Sequence, residues 1–280
     1  MIKVTSKFAY TLIIMLLCSC ASASPPKQNE LNNSIVGNRS AGCSAMSEIT
    51  MQESTGNFMP IKTQVLNQYR TYHLRIPSTY NPNIAYPLIF RWHGAGGDGL
   101  SGGLNIEYNA KEDAIIVSAD GLNNYWRTNA DSIDLPFFDK MLETVSSQYC
   151  IDGNRIFSFG FSSGGSFSNL LACQRGDVLR ANAAIASGVA GNHCKGKVAT
   201  WLLHDVDDNA VLIANGKAAL ARTLATNGCS KNTVDEGKGC VRYQGCDAVP
   251  VVWCESKGFG HNIRGDYAPA QVWQFFQNLK

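Results

Sequence analysis

A serine hydroxyl becomes a nucleophile when a sharp turn exposes it beside a base. Two stretches of this 280-residue chain carry the G-x-S-x-G pattern that builds such a turn. Gly99-Leu100-Ser101-Gly102-Gly103 lies in a run of glycines with no strand leading into it, so it reads as a glycine-rich turn holding an ordinary serine. Gly160-Phe161-Ser162-Ser163-Gly164 directly follows the strand-like run Arg155-Ile156-Phe157-Ser158-Phe159, and residues 165–174 can continue as a helix. Incoming strand, strained turn and outgoing helix are what a nucleophile elbow needs: small flanking residues let strand and helix approach, and the helix N-terminus faces the reaction. Ser162 is therefore the expected nucleophile.

Its hydroxyl is a poor nucleophile until a histidine removes the proton, and the histidine needs a carboxylate to fix its tautomer and stabilise the imidazolium. With an elbow of this kind the chain order is serine, acid, histidine. Of the five histidines, His73 and His93 precede Ser162, His193 lies beside Cys194 in a loop, and His204 ends an apolar run before an acid could intervene. His261, in Gly258-Phe259-Gly260-His261-Asn262, follows the last strand-like run and is the expected base. The acid should follow the run at 199–203, where Asp205, Asp207 and Asp208 crowd together. Spacing favours the later two and leaves Asp207 and Asp208 open; Asp205 reads as a residue that caps a turn or positions the loop. An oxyanion hole needs two backbone N–H groups aimed where negative charge develops. Ser163 supplies one, and the loop His93-Gly94-Ala95-Gly96-Gly97 supplies the other, with Ala95 the first choice and Gly96 the next. His93 itself reads as a brace for that loop.

These residues need a scaffold, and the chain supplies one. Apolar runs of strand length occur at 87–93, 114–120, 155–162, 181–189, 199–206 and 249–255, and their continuous hydrophobicity suits strands covered on both faces. Between the second and third runs, Leu135, Phe138, Leu142, Val145 and Tyr149 recur at helical spacing, with Asp134 as the expected cap. Residues 211–226 and 267–279 give two more helices, the last with Pro269 in its first turn. Residues 68–77 alternate as an antiparallel strand near a sheet edge would. Such alternation predicts a single α/β domain, a mostly parallel central sheet with right-handed crossovers and helices on both faces.

Composition sets the surroundings. Hydrophobic residues make up 45% of the chain, charged residues only 16%, and the formal net charge is +2, so no basic stripe points to nucleic acid. Ten cysteines without paired C-x-x-C spacing argue for an oxidising compartment rather than a zinc site. Lys3 and Lys7 precede an apolar run at 8–17 and the small residues Ala21-Ser22-Ala23, which predicts a secretory signal over residues 1–23. Leu17-Cys18-Ser19-Cys20 also loosely resembles a lipoprotein box, in which Cys20 would be acylated and tether the protein to a membrane. The expected location is outside the cell, in the periplasm or on an outer membrane. With either leader removed eight cysteines remain, an even number, for disulfides, two of them expected within 229–254. Residues 24–42 read as a flexible linker and 43–280 as the catalytic domain.

Together, Phe159-Gly160-Phe161-Ser162-Ser163-Gly164-Gly165, the His-Gly-Ala-Gly-Gly loop, His204 with Asp208, Asn227-Gly228-Cys229 and Gly260-His261 resemble the polyhydroxybutyrate depolymerase-like esterases. That group includes the secreted feruloyl and acetylxylan esterases of carbohydrate esterase family 1. In it the acid loop reads H-G-x-x-D-x-x-V, and His204, Asp208 and Val211 fall on those positions, so the resemblance favours Asp208 as the acid. It implies a secreted serine esterase of the α/β-hydrolase fold without metal or organic cofactor. The first expectation is a feruloyl esterase acting on plant cell-wall polysaccharide, with acetylxylan esterase and polyhydroxyalkanoate depolymerase as rivals and an inactive polymer-binding relative as a further alternative. Gly121-Leu122-Asn123-Asn124-Tyr125-Trp126 resembles the family's segment beside the active site, which would let Trp126 stack on an aromatic acyl group. Two departures bear on the substrate more than on the chemistry: the usual glycine after the loop histidine is Asp205, and Ser163 stands where some feruloyl esterases carry tryptophan.

Overall fold

The computed structural model of the protein describes residues 35–36, 38–43, 55–101, 103–246 and 248–279. The expected leader and the lipoprotein-like Cys20 lie outside the described residues.

The apolar runs form a stack of six mutually parallel strands: β5 (Tyr86–Trp92), β6 (Ile115–Ala119), β7 (Ile151–Phe161), β8 (Ala181–Ile185), β9 (Ala199–Asp205) and β12 (Val251–Ser256). An antiparallel pair extends each edge, β3 (Phe58–Val65) with β4 (Gln68–Arg75) beyond β6, and β10 (Thr233–Gly237) with β11 (Cys240–Tyr243) beyond β12. Across the sheet the order is β10-β11-β12-β9-β8-β7-β5-β6-β4-β3. The chain passes from β5 to β6 on one side and then returns to place β7 on the other side of β5. Such a reversal opens a crevice at the C-terminal ends of the two strands it separates, the usual ligand position in an open α/β sheet.

Side chains of successive residues point to opposite faces, so every central strand feeds two cores. Leu88, Phe90 and Trp92 enter one core with Phe138 and Leu142 of α2 (Asp134–Gln148) and Phe167 and Leu171 of α3 (Ser163–Gln174). Ile89 and Phe157 enter the other with Ile106 just before the short α1 (Glu107–Ala110) and with Val272 and Phe276 of α5 (Ala268–Gln277); the Phe157 and Phe276 rings stack at 4.4 Å. Full burial of each such side chain is worth about 1.5–3 kcal/mol. The remaining long helix, α4 (Ile213–Asn227), packs beside β9 and ends at Gly228, whose φ of 76° is the left-handed turn that glycine adopts freely.

Several expectations change. Asp134 does not cap α2: it is the helix's first residue, fully buried, its carboxylate paired with Arg70 at 2.8 Å and accepting the Arg127 N–H at 2.9 Å. The domain also starts before Cys43, because β2 (Arg39–Ser40) pairs with β7, Ser40 Oγ donates to Tyr149 O, and Ile151 N–H donates to Ser40 Oγ. β1 (Ile35–Val36) pairs with β2 in turn, so the ordered chain reaches into the stretch read as linker. Strand β4 is antiparallel and near the sheet edge, as expected, with only β3, which carries Pro60 and is partly exposed throughout, beyond it.

The eight cysteines form four disulfides: Cys43–Cys150, Cys173–Cys194, Cys229–Cys246 and Cys240–Cys254. The last two lie within 229–254, as the spacing predicts. The first fastens the N-terminal segment to the start of β7, and the second ties the end of α3 to the loop after β8.

Candidate active site

Ser162 stands at the turn between β7 and α3 with φ 55° and ψ −120°, a backbone conformation that side chains rarely adopt. The turn is held open to the crevice by steric limits rather than by choice of side chain. A Cβ on Gly160 would lie 2.2 Å from Gly164 O, and a Cβ on Gly164 would lie 2.2 Å from Trp92 O, so neither position admits any residue but glycine. Ser162 N–H donates to Ile185 O at 2.9 Å, tying the turn to the end of β8. Ser101, in the other G-x-S-x-G stretch, lies in an exposed turn where its N–H donates to Asp98 Oδ1 at 2.7 Å and Asp98 N–H donates to its Oγ at 2.7 Å.

The structure brings Ser162, His261 and Asp208 into one hydrogen-bonded chain. His261 Nε2 lies 2.9 Å from Ser162 Oγ, and His261 Nδ1 lies 2.8 Å from Asp208 Oδ2. A carboxylate can only accept, so Nδ1 carries a proton and Nε2 is free to accept the serine proton. Asp208 follows β9, is buried, and takes the N–H groups of Ala210 and Val211 on its other oxygen, both at 2.9 Å. Burial pushes its carboxyl up, but the bond from His261 and the two backbone N–H donors outweigh this and hold it below the ordinary aspartate value. The Phe161 ring lies against the His261 imidazole at 5.0 Å.

The neighbouring aspartates have different partners. Asp207 Oδ2 accepts the Gly258 N–H at 2.9 Å, whereas the carboxylate that meets the His261 imidazole is that of Asp208. Asp205 is buried and accepts four donors: Ser256 Oγ at 2.8 Å, Asp207 N–H at 2.9 Å, Gly260 N–H at 3.1 Å and Phe259 N–H at 3.2 Å. Burial raises its carboxyl, yet these donors outweigh burial and leave it below the ordinary value. Asp205 thus ties the loop of the acid to the loop of the histidine. Sequence reasoning assigned it a loop role but could not name the loop; the signal was its departure from the glycine common at that position.

The His-Gly-Ala-Gly-Gly loop leaves the end of β5 and passes beside the nucleophile, where a Cβ on Gly94 would stand 3.5 Å from Ser162 Cβ and 2.9 Å from the Phe161 ring. Gly96 N–H donates to Asn124 O at 2.8 Å and Gly97 N–H to Gly94 O at 3.1 Å. Ala95 N–H has no such acceptor among the described residues, which separates it from Gly96. Ser163, the first residue of α3, has one of the helix N–H groups without an intrahelical partner. His93 braces the loop. Its Nε2 accepts the Gly121 N–H at 2.9 Å, which places its proton on Nδ1, 2.7 Å from Gly94 O. Burial holds the His93 imidazole below its ordinary value, against the raising effect of the Gly94 bond.

Trp126 corrects an expectation. Its side chain is fully buried between His93, Trp92 and Phe167, with ring centroids 5.1–5.2 Å apart, and its Nε1–H donates to His93 O at 3.0 Å. A ring face covered in this way is not offered to an acyl group; Trp126 holds the start of the His-Gly-Ala-Gly-Gly loop instead. Exposed apolar side chains on the loops around these residues include Tyr125, Val189, Val206, Leu212 and Phe259, with Arg264 lying 3.6 Å over the Phe259 ring.

No family model matches the chain. Individual relatives do. It is 35% identical over 253 residues to feruloyl esterase D of Neurospora crassa, covering 80% of this chain and 87% of that protein. It is 31% identical over 229 residues to a probable feruloyl esterase C of Aspergillus niger, covering 74% and 83%. Among solved structures, an acetyl xylan esterase from Aspergillus awamori matches with a TM-score of 0.65 over 79% of this chain and 99% of that one; at 13% identity the likeness is one of fold, the α/β-hydrolase fold.

Proposed function

The chain belongs to the feruloyl esterase family of serine carboxylic-ester hydrolases, and from that premise we propose that it cleaves feruloyl esters of plant cell-wall polysaccharide through a covalent acyl-enzyme. The observation that carries the reading is the hydrogen-bonded chain Ser162–His261–Asp208 at the crevice of the sheet. Ser162 Oγ attacks the ester carbonyl carbon while its proton passes to His261 Nε2. Asp208 keeps the second imidazole proton on Nδ1 and stabilises the imidazolium that forms. Negative charge collects on the carbonyl oxygen, where the N–H groups of Ser163 and Ala95 receive it; one such donor is typically worth about 10²–10³ in rate. Collapse of this intermediate breaks the bond to the alcohol oxygen, which takes the proton from His261 and leaves. Water then repeats the sequence on the acyl-serine and restores the enzyme. Every proton step uses His261.

The acyl group rests on the relatives, since both are named feruloyl esterases. Secretion is part of the proposal and is supported by the four disulfides, which persist in oxidising compartments, and by the leader-like N-terminus, with lipid attachment at Cys20 as its anchored form. Hydrolysis of methyl ferulate, acetylated xylan and polyhydroxybutyrate by the wild type and by Ser162→Ala tests the reading. The highest kcat/KM is expected on methyl ferulate, lost in the variant. A higher value on acetylated xylan or the polyester would replace the acyl assignment, and no Ser162-dependent hydrolysis of any of them would leave a polymer-binding relative.

A further inference from the structure

The acid of the catalytic chain lies between two imidazoles, and the reaction uses only one of them. His204, near the end of β9 and four residues before Asp208, is buried with a side chain only 1% exposed. Its Nε2 lies 2.7 Å from Val211 O and 3.3 Å from Asp208 Oδ2, the same carboxylate oxygen that accepts from His261 Nδ1 at 2.8 Å. A carbonyl oxygen only accepts, so Nε2 carries the proton and donates it to Val211 O, with Asp208 Oδ2 beside that bond at 3.3 Å. The opposite edge of the ring is closed off by α4: a Cβ on Gly216 would stand 2.3 Å from His204 Nδ1, so only glycine lets the helix approach this far. Trp253 of β12 covers the ring face at 6.5 Å. The charged groups around it are Asp208 on its own loop, His261 beyond Asp208, and Glu255, its register partner on β12, whose carboxylate pairs with Lys217 of α4 at 3.1 Å.

Val211 closes this arrangement into a ring, since its N–H donates to Asp208 Oδ1 while its carbonyl accepts from His204. The two backbone donors on Oδ1 fix one oxygen of the carboxylate but leave the plane free to rock about it. The His204 N–H, anchored on Val211 O with its nitrogen 3.3 Å from Oδ2, opposes that rocking and keeps the oxygen aimed at His261. Displacement of a catalytic group by about 1 Å can cost on the order of 10²-fold, so a carboxylate that rocks would weaken the proton transfer without altering substrate binding.

We propose that His204 is a positioning residue of the catalytic chain: an Nε2-protonated imidazole that donates to Val211 O beside Asp208 Oδ2 and sets the orientation in which Asp208 meets His261. The proposal rests on the esterase reading above. Its test compares His204→Leu, which keeps volume but removes the donor, with His204→Gln, whose side-chain amide can reach where Nε2 stands and donate to both oxygens. With methyl ferulate as substrate and active enzyme counted by fluorophosphonate titration, His204→Leu should lower kcat per titrated site about 10–100-fold with KM changed by less than about threefold, and His204→Gln should recover most of the loss. If His204→Leu fails to fold, His204→Asn serves in its place, because its shorter amide does not reach Asp208. A folded His204→Leu or His204→Asn with wild-type kcat, or a His204→Gln no better than either, would overturn the proposal. A wild type that neither hydrolyses the ester nor labels at Ser162 would instead contradict the esterase reading, and the proposal with it.

Discussion

The nucleophile side and the acid–base side of the site are held by different physics. Around Ser162 the constraint is steric: glycines at 160 and 164 allow backbone to approach backbone at distances where a Cβ would lie 2.2 Å from a carbonyl oxygen. Around His261 and Asp208 the constraint is a set of carboxylates accepting N–H and O–H donors, four of them on Asp205 alone. Steric constraints are local and nearly all-or-none, whereas hydrogen-bonded loops lose precision in steps and depend on charge. The contrast predicts how each side fails.

The largest effects belong to the groups that handle the proton. Replacing Asp208 with Asn keeps the shape but offers the imidazole the wrong partner, and in comparable triads this costs about 10⁴ in kcat. Asp207→Asn, at a carboxylate that accepts the Gly258 N–H, should cost less than about tenfold in the same assay. A large loss at Asp207 with a small one at Asp208 would reverse the assignment. Between these lies Asp205→Ala, which frees Ser256, Phe259 and Gly260 together; kcat is expected to fall about 10–100-fold on methyl ferulate with the protein still folded by circular dichroism. On the steric side Gly164→Ala should give no intermediate result, yielding protein that is misfolded or inactive, and a soluble, fully active variant would contradict the account of the elbow.

How far each side could be read from sequence follows the same division. The elbow was legible because its requirements are local: strand, small residue, serine, small residue, helix. The parallel strands were legible because both of their faces are buried and their runs are continuously apolar. The acid was not fixed by spacing, because three carboxylates crowd into positions 205–208 at the end of β9 and only the path of the loop decides which one meets His261. His204 was set aside as a base on chain order, and its contact with Asp208 depends on how α4 returns over the loop, which no local pattern records. Trp126 and Asp134 misled for one reason: each has the type expected of an exposed contact or a cap, yet each is buried in tertiary packing. The hairpin β10–β11 carries little apolar pattern, since β10 is exposed along its length and depends on β11.

The smallest effect expected is on stability in acid, and it separates the two sides by pH. His93 braces the oxyanion loop as a neutral imidazole held below its ordinary value. The unfolded chain therefore binds this proton first, and the His93 contribution to stability is lost as pH falls below about 6.5 and through its folded value. The carboxyls of Asp205 and Asp208 are held below their ordinary value, so their contribution is present above about pH 3.9 and lost as pH falls through their lower folded values. Melting temperature measured against pH should decline in these two windows, and Asp205→Asn should flatten only the lower one. A slope below about pH 4 unchanged in that variant would show that Asp205 is not held as a carboxylate in the fold.

The central claim is that Ser162, activated through His261 and Asp208, forms a covalent acyl-enzyme. Incubation with a fluorophosphonate followed by mass spectrometry of the digested protein tests it most directly. The account predicts one adduct per chain, on Ser162, absent from Ser162→Ala and formed far more slowly in Asp208→Asn; an adduct on Ser101, or no adduct on a folded wild-type protein, would contradict it.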